Sequence, residues 1–223
     1  VLFWVASLFS QGYNIKHLST LDGLNNGTIN DITQDSMGYI WFSTWDGLMR
    51  YDGYSVKNYK PILGDSSSLP AKHCRELFCD SKGNLWVQSG KGVSVYDDVY
   101  DNFKNFSFSE DFIFEYVESG NKLFFNTLNK IYYLDLTGII SEKNFKQLDI
   151  IDLPDNEVIN KLLIIDSGFI LISYSPENTG SNIYFARLEG NKLFIDSKVT
   201  LKDNITASCL DDSVGIFYST KTG

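Results

Sequence analysis

Basic residues are scarce in this chain of 223 residues: 19 Lys and Arg stand against 28 Asp and Glu, a formal net charge of −9. Because nucleic-acid affinity rests largely on Lys and Arg contacts to phosphates, that balance excludes a phosphate backbone as the natural partner. It suits a neutral or cationic ligand, and leaves room for a local basic patch that holds an anion. Histidine is rarer still, with only His17 and His73. No H-E-x-x-H, G-x-S-x-G or phosphate-binding glycine loop occurs, so no catalytic residue is assigned. The paired acids Asp97-Asp98 and Asp211-Asp212 are sequence neighbours and do not have the placement of carboxylates flanking a scissile bond. The three cysteines, Cys74, Cys79 and Cys209, form no disulfide framework and lack metal-ligand spacing. Cys74 and Cys79 stand an odd number of residues apart in one expected strand, so they are expected on opposite faces as small buried residues. Helical periodicity is nearly absent, which excludes an α-rich fold.

What the chain does have is repetition. Asp35–Tyr51 (D-S-M-G-Y-I-W-F-S-T-W-D-G-L-M-R-Y) returns at Asp80–Tyr96 (D-S-K-G-N-L-W-V-Q-S-G-K-G-V-S-V-Y), with Asp, Ser, Gly, Trp, Gly and Tyr each displaced by 45 residues. Asp35-Ser36-Met37-Gly38 is turn chemistry, the Asp hydrogen-bonding the backbone ahead and the Gly taking a positive φ. The aromatic and β-branched run Tyr39–Thr44 favours a strand, Trp45-Asp46-Gly47 a second hairpin, and Leu48–Tyr51 a third strand. Four antiparallel strands per repeat of about 40–45 residues make the blade of a β-propeller.

The tetrads Val56–Tyr59, Phe103–Phe106 and Phe145–Leu148 share an apolar, Lys, polar, apolar form and are expected as outer, fourth strands. Ile15-Lys16-His17-Leu18 has the same form but precedes any blade, and is expected as an outer strand that closes the ring. Inner strands are expected at Thr28–Thr33 and Cys74–Cys79. Later copies are fainter: Phe124 replaces Trp86 in repeat three, repeat four runs from Val158 with a weak outer strand at Lys192–Asp196, and repeat five starts at Ile205. The expectation is an all-β fragment of a propeller of four-stranded antiparallel blades, about four and a half blades over 13–223. Residues 1–12, apolar and then small and polar, resemble the end of a signal peptide too short to span a bilayer.

These motifs, with the lead-in Leu18-Ser19-Thr20-Leu21-Asp22-Gly23-Leu24, resemble the two-component regulator propeller repeat over about Tyr13–Phe106. The resemblance implies the periplasmic sensor region of a bacterial hybrid two-component protein. Its longer, membrane-anchored parent would have two seven-bladed propellers, a β-sandwich, and histidine kinase, receiver and DNA-binding regions. It also implies sensing of oligosaccharides released from glycans, a homodimeric parent, and no enzymatic activity in this segment. Two alternatives stay open: a propeller lyase or glycosidase, and a purely structural blade array.

Candidate ligand residues follow from position. Trp45, in the turn between second and third strands, faces the rim that carries the blade-joining loops and offers an indole to a sugar ring, with Asp46 accepting hydroxyl hydrogen bonds. His73 and Arg75, at the start of an inner strand, come to the same rim, and Lys91 is a weaker candidate. Trp41 and Trp86 are expected between blades as packing residues. The Asp35 and Asp80 turns resemble Asp-box turns and offer one carboxylate each, so neither a metal nor any other cofactor is expected.

Overall fold

The computed structural model describes residues 15–90, 92–107, 113, 115–165, 168–176, 180–211 and 215–220. The expected signal-peptide remnant and Lys91 lie outside them. Blade one is β1 (Ile29–Gln34), β2 (Ile40–Thr44), β3 (Gly47–Tyr51) and β4 (Val56–Tyr59). Blade two is β5 (Cys74–Cys79), β6 (Leu85–Ser89), β7 (Gly92–Asp97) and β8 (Asn102–Ser107). Blade three is β9 (Glu115–Ser119), β10 (Lys122–Asn126), β11 (Ile131–Asp135) and β12 (Lys146–Ile151). Blade four is β13 (Val158–Ile165), β14 (Gly168–Tyr174), β15 (Ser181–Glu189) and β16 (Lys192–Thr200). A further hairpin pairs β17 (Ile205–Asp211) with β18 (Gly215–Thr220). Within each blade consecutive strands are antiparallel neighbours, so the fold is the expected all-β propeller architecture.

The Asp turns set the repeat. Gly38 N–H donates to Asp35 O and Asp35 N–H to Tyr39 O, with φ +89° at Gly38. Asp80, Gly83 and Asn84 repeat the pattern, with φ +86° at Gly83. One oxygen of each carboxylate accepts two backbone N–H groups, from Met37 and Tyr39 or from Lys82 and Asn84. The other accepts the indole N–H six residues on, Trp41 at 2.7 Å and Trp86 at 2.8 Å. Each Asp therefore ties its hairpin to the core residue that follows.

Those indoles fill the spaces between blades. Trp41 and Leu48 pack with Leu77, Leu85 and Val87 of blade two, and Trp86 with Tyr116, Leu123 and Phe125 of blade three. Phe124 takes the same station in blade three and meets Ile159, Phe169 and Leu171 of blade four. All five residues of β6 are buried, as are the middle five of β14, because second strands have a neighbouring blade on each face; this is why their apolar residues, Leu85 to Val87 and Phe169 to Ile172, come in runs and do not alternate with exposed ones. The repeat's second glycine has a steric cause. A Cβ at Gly47 would lie 2.4 Å from Tyr59 O, and one at Gly92 2.3 Å from Phe106 O, so the outer strand could not lie this close to any other residue.

Four expectations change. Inner strands carry a β-bulge near their start in blades one, two and four, and β17 has the same irregularity. In β5 it lies between Cys74 and Leu77, and pairs Cys74 with Ser89 and Cys79 with Leu85. Those partners have the same parity, so both cysteines share one face: the extra residue reverses the side-chain alternation that puts them on opposite faces in a regular strand. Ile15–Leu18 forms no strand; Lys16 instead donates to Tyr51 Oη and, at 3.1 Å, to Gly53 O. The outer strand of blade four is not weak but nine residues long. Finally, blades three and four share one sheet, because β12 runs past its tetrad through Asp149-Ile150-Ile151 and pairs in parallel with Lys192–Phe194 of β16.

Candidate functional site

Strand order places the β2–β3 turn and the loop entering β5 at the same ends of the blades. Thr44 Oγ1 accepts Asp46 N–H at 3.0 Å and donates to Gly47 O at 2.9 Å, while Asn25 donates to Asp46 O at 2.9 Å. Trp45, at the tip of this closed turn, is 44% exposed. His73, directly before β5, sits edge-on to it, centroids 5.0 Å apart and planes at 75°. The Arg75 guanidinium lies 5.4 Å from the same indole, aimed there by the bulge in β5. At the corresponding turn of blade two, Gly90 carries φ +61° and a Cβ would approach Ala71 Cβ to 2.9 Å, so blade two has no second indole.

Asp46 completes the group. Lys60 Nζ donates to its Oδ2 at 2.5 Å and Lys72 Nζ stands 3.9 Å from Oδ1. The Lys60 ammonium holds this carboxyl below the usual carboxylate range. The structure thus brings Trp45, Asp46, His73 and Arg75 together on one rim, and adds two lysines that turn position alone does not suggest.

Three further polar clefts lie away from the residues singled out by turn position. At the opposite ends of blades one and two, a cleft of about 480 Å³ is lined by Tyr39, Arg50, Lys82 and Tyr96. Arg50 stacks on Tyr39 at 4.7 Å and donates to Tyr96 Oη at 2.7 Å. Burial pushes the Asp101 carboxyl beside it up, but hydrogen bonds from Lys57, Tyr59 and Tyr96 outweigh that and carry it down to about 2. In blade four, Glu157 is buried beside a cleft of about 420 Å³ and accepts from Ser173, Asn182 and Tyr184. It directly precedes β13 as His73 directly precedes β5, so repeat alignment would have found it.

Inner strands supply the third, where Glu76, Glu115 and Lys161 meet in a cleft of about 230 Å³. Lys161 Nζ is 3.2 Å from Glu115. Burial, then the charges of Asp31 and Glu115, push the Glu76 carboxyl up to about 7; burial also raises Glu115, against the pull of Lys161. The folded chain therefore keeps the Glu76 proton up to about pH 7, whereas the unfolded chain releases it near 4.5. Folding takes up a proton in that window, so stability falls as pH rises through it. With solvent screening in an open cleft, Glu76→Gln is expected to gain on the order of 1–2 kcal/mol relative to the parent between acid and mildly alkaline pH. Urea titrations of both proteins at the two pH values check this; a difference that stays flat with pH would show that Glu76 does not titrate in this window.

Among the described residues no group of His, Cys, Asp and Glu has the geometry to hold a metal ion, and no helix is long and apolar enough to cross a membrane.

Comparison with known proteins follows the same repeat. The family model described as "two component regulator propeller" matches residues 23–46, from the lead-in of blade one through Asp46. Histidine kinase P4 of Formosa agariphila is 38% identical over 69 residues, which is 30% of this chain and 5% of that protein. The extracellular domain of a hybrid two-component system from B. thetaiotaomicron superposes with a TM-score of 0.61 at 18% identity, over 94% of this chain and 34% of that one. An extracellular domain of a one-component system from the same organism gives 0.65 at 15%, over 95% and 31%. At these identities the structures establish the fold, and the chain spans about a third of each.

Proposed function

We propose that this chain, which carries the two-component regulator propeller repeat, is the ligand-sensing part of an extracytoplasmic signalling protein and binds oligosaccharide at the Trp45 rim. The observation that carries the reading is the half-open indole, at the tip of its turn and surrounded by hydrogen-bonding side chains of two blades. A flat aromatic face takes the apolar side of a pyranose, and polar neighbours fix its hydroxyls.

In this reading the kinase lies outside the segment, in a dimeric, membrane-anchored parent whose propellers stand in the periplasm. Bound sugar acts by favouring one packing of two propeller subunits over another, and can shift that equilibrium only by its difference in affinity for the two. No bond is made or broken in this segment.

Isothermal calorimetry against a panel of neutral and acidic glycan oligosaccharides tests it. Trp45→Ala is expected to weaken a binding member by about tenfold or more, the loss of a buried aromatic contact. The residue is exposed, so the variant folds. A panel without a binder, or an affinity unmoved by the substitution, would overturn the reading.

A further inference from the structure

The bulges of the inner strands converge on one place. Each sets unpaired residues in its strand: Asn30 in β1, Arg75 and Glu76 in β5, Asn160 in β13 and Thr206 in β17. A bulge re-aims such residues out of the regular alternation. Asn30 donates to Cys74 O at 2.7 Å and so ties blade one to blade two. Glu76, Asn160 and Thr206 instead line the inner-strand cleft, together with Glu115, Lys161 and Ser208.

Polar atoms in this cleft outnumber the bonds made there. Asn160 Oδ1 and Ser208 Oγ are buried without a hydrogen-bond partner. So is the hydroxyl of Tyr116, a residue 7% exposed, which feels the charge of Glu76. Charge is unbalanced as well. The groups acting on Glu76 are Asp31 of β1, its neighbour Arg75, Glu115 of β9 and Lys161 of β13, with Lys161 Nζ 3.2 Å from Glu115. Once Glu76 ionises, three carboxylates meet two cations, which leaves one negative charge over.

We infer that this cleft binds a small primary amine as its ammonium ion, held by the Glu76 carboxylate, Asn160 Oδ1 and Ser208 Oγ. An ammonium has three donors for these three acceptors, and its single charge closes the balance. Water would satisfy the lone atoms without supplying that charge. A metal ion fits less well, because the Lys161 ammonium already stands on Glu115. At about 230 Å³ the cleft falls below the roughly 300–1,000 Å³ of sites for drug-sized ligands, so it suits one amine-bearing unit and not a sugar chain. The site is separate from the Trp45 rim, and neither reading needs the other.

Calorimetry on the chain as it stands, with ethanolamine and glucosamine beside their neutral counterparts ethylene glycol and N-acetylglucosamine, tests this. At about pH 7 the amines are expected to bind and the neutral compounds not. Affinity should fall about tenfold or more at about pH 5, where a proton holds Glu76 and the ammonium must displace it. Glu76→Gln should weaken the amines about tenfold or more and flatten the pH dependence. Asn160→Ala, which leaves the carboxylates in place, should weaken them about three- to tenfold, and Trp45→Ala should change nothing. Glucosamine bound more tightly than ethanolamine would support the site and assign it to an amino sugar; equal affinities would support it and assign recognition to the ammonium alone. Failure of both amines to bind, equal binding of the neutral compounds, or an affinity that ignores pH and Glu76→Gln would overturn the site. Loss of amine binding on Trp45→Ala would move the amine to the rim and overturn it too, as would potassium that competes at equal concentration.

Discussion

Trp86→Ala should cost about 3–5 kcal/mol of stability, the range for emptying a large aromatic site in a close-packed interior. The indole is fully buried between blades two and three, and its N–H reaches Asp80 Oδ2 at 2.8 Å. The loss has two sources, a cavity and a carboxylate deprived of a donor, and Trp86→Phe separates them. Phenylalanine keeps most of the volume, as Phe124 does at the same station one blade on. Asp80 Oδ2 would keep Asn84 Nδ2 at 2.8 Å, so the phenylalanine variant should lose only about 1–2 kcal/mol. Asp80→Asn tests the same bond from the other side. Its oxygen can still accept Lys82 and Asn84 N–H, but its amide would turn a donor toward the indole N–H. Chemical denaturation of the three variants is the measurement. A Trp86→Ala loss below about 1 kcal/mol would mean that the blades are not joined through this residue.

That experiment also marks how far the repeat carried the fold. The 45-residue displacement of Asp, Gly and Trp located two blades because all three residues share one network: the Asp needs the turn that Gly allows, and the indole needs the Asp. Blades three and four lack the network, yet fold alike because an aromatic or branched side chain between blades is sufficient for packing. Bulges were not legible. A single extra residue leaves no mark in composition, yet it placed Cys74 and Cys79 on one face and aimed Arg75 at Trp45.

The grouping of Trp45, Asp46, His73 and Arg75 was legible because strand ends alone decide which loops share a rim. The approach of Lys60 and Lys72 to Asp46 was not, since it depends on how the loop between blades one and two is folded back. Arg50 and Asp101 were invisible for another reason. Arg50 has Val95 as its counterpart in the next repeat, so the contact of Arg50, Tyr96 and Asp101 belongs to one blade pair and not to the repeat.

Glu157→Ala is the second large effect, expected at about 2–4 kcal/mol, because one buried carboxylate serves three strands at the rim of blade four. Ser173 of β14 donates to Oε2, while Asn182 and Tyr184 of β15 donate to Oε1 at 2.5 and 3.0 Å. Lys198 of β16 stands 3.8 Å away, its side chain 40% exposed. Truncation would leave three donors, all on buried residues of β14 and β15, facing a void, whereas Lys198 keeps its water and adds little. Glu157→Gln then tells hydrogen bonding from charge. Its oxygen can take the place of Oε1 and hold Asn182 and Tyr184, and its amide can donate to a Ser173 hydroxyl that turns to accept. A loss of about 0.5–1.5 kcal/mol is expected for glutamine, well short of the alanine value. Equal losses in the two variants would instead mean that the ion pair with Lys198 supplies most of the stabilisation. That outcome would be hard to reconcile with a lysine this open to solvent, whose pairing is screened and whose desolvation is slight.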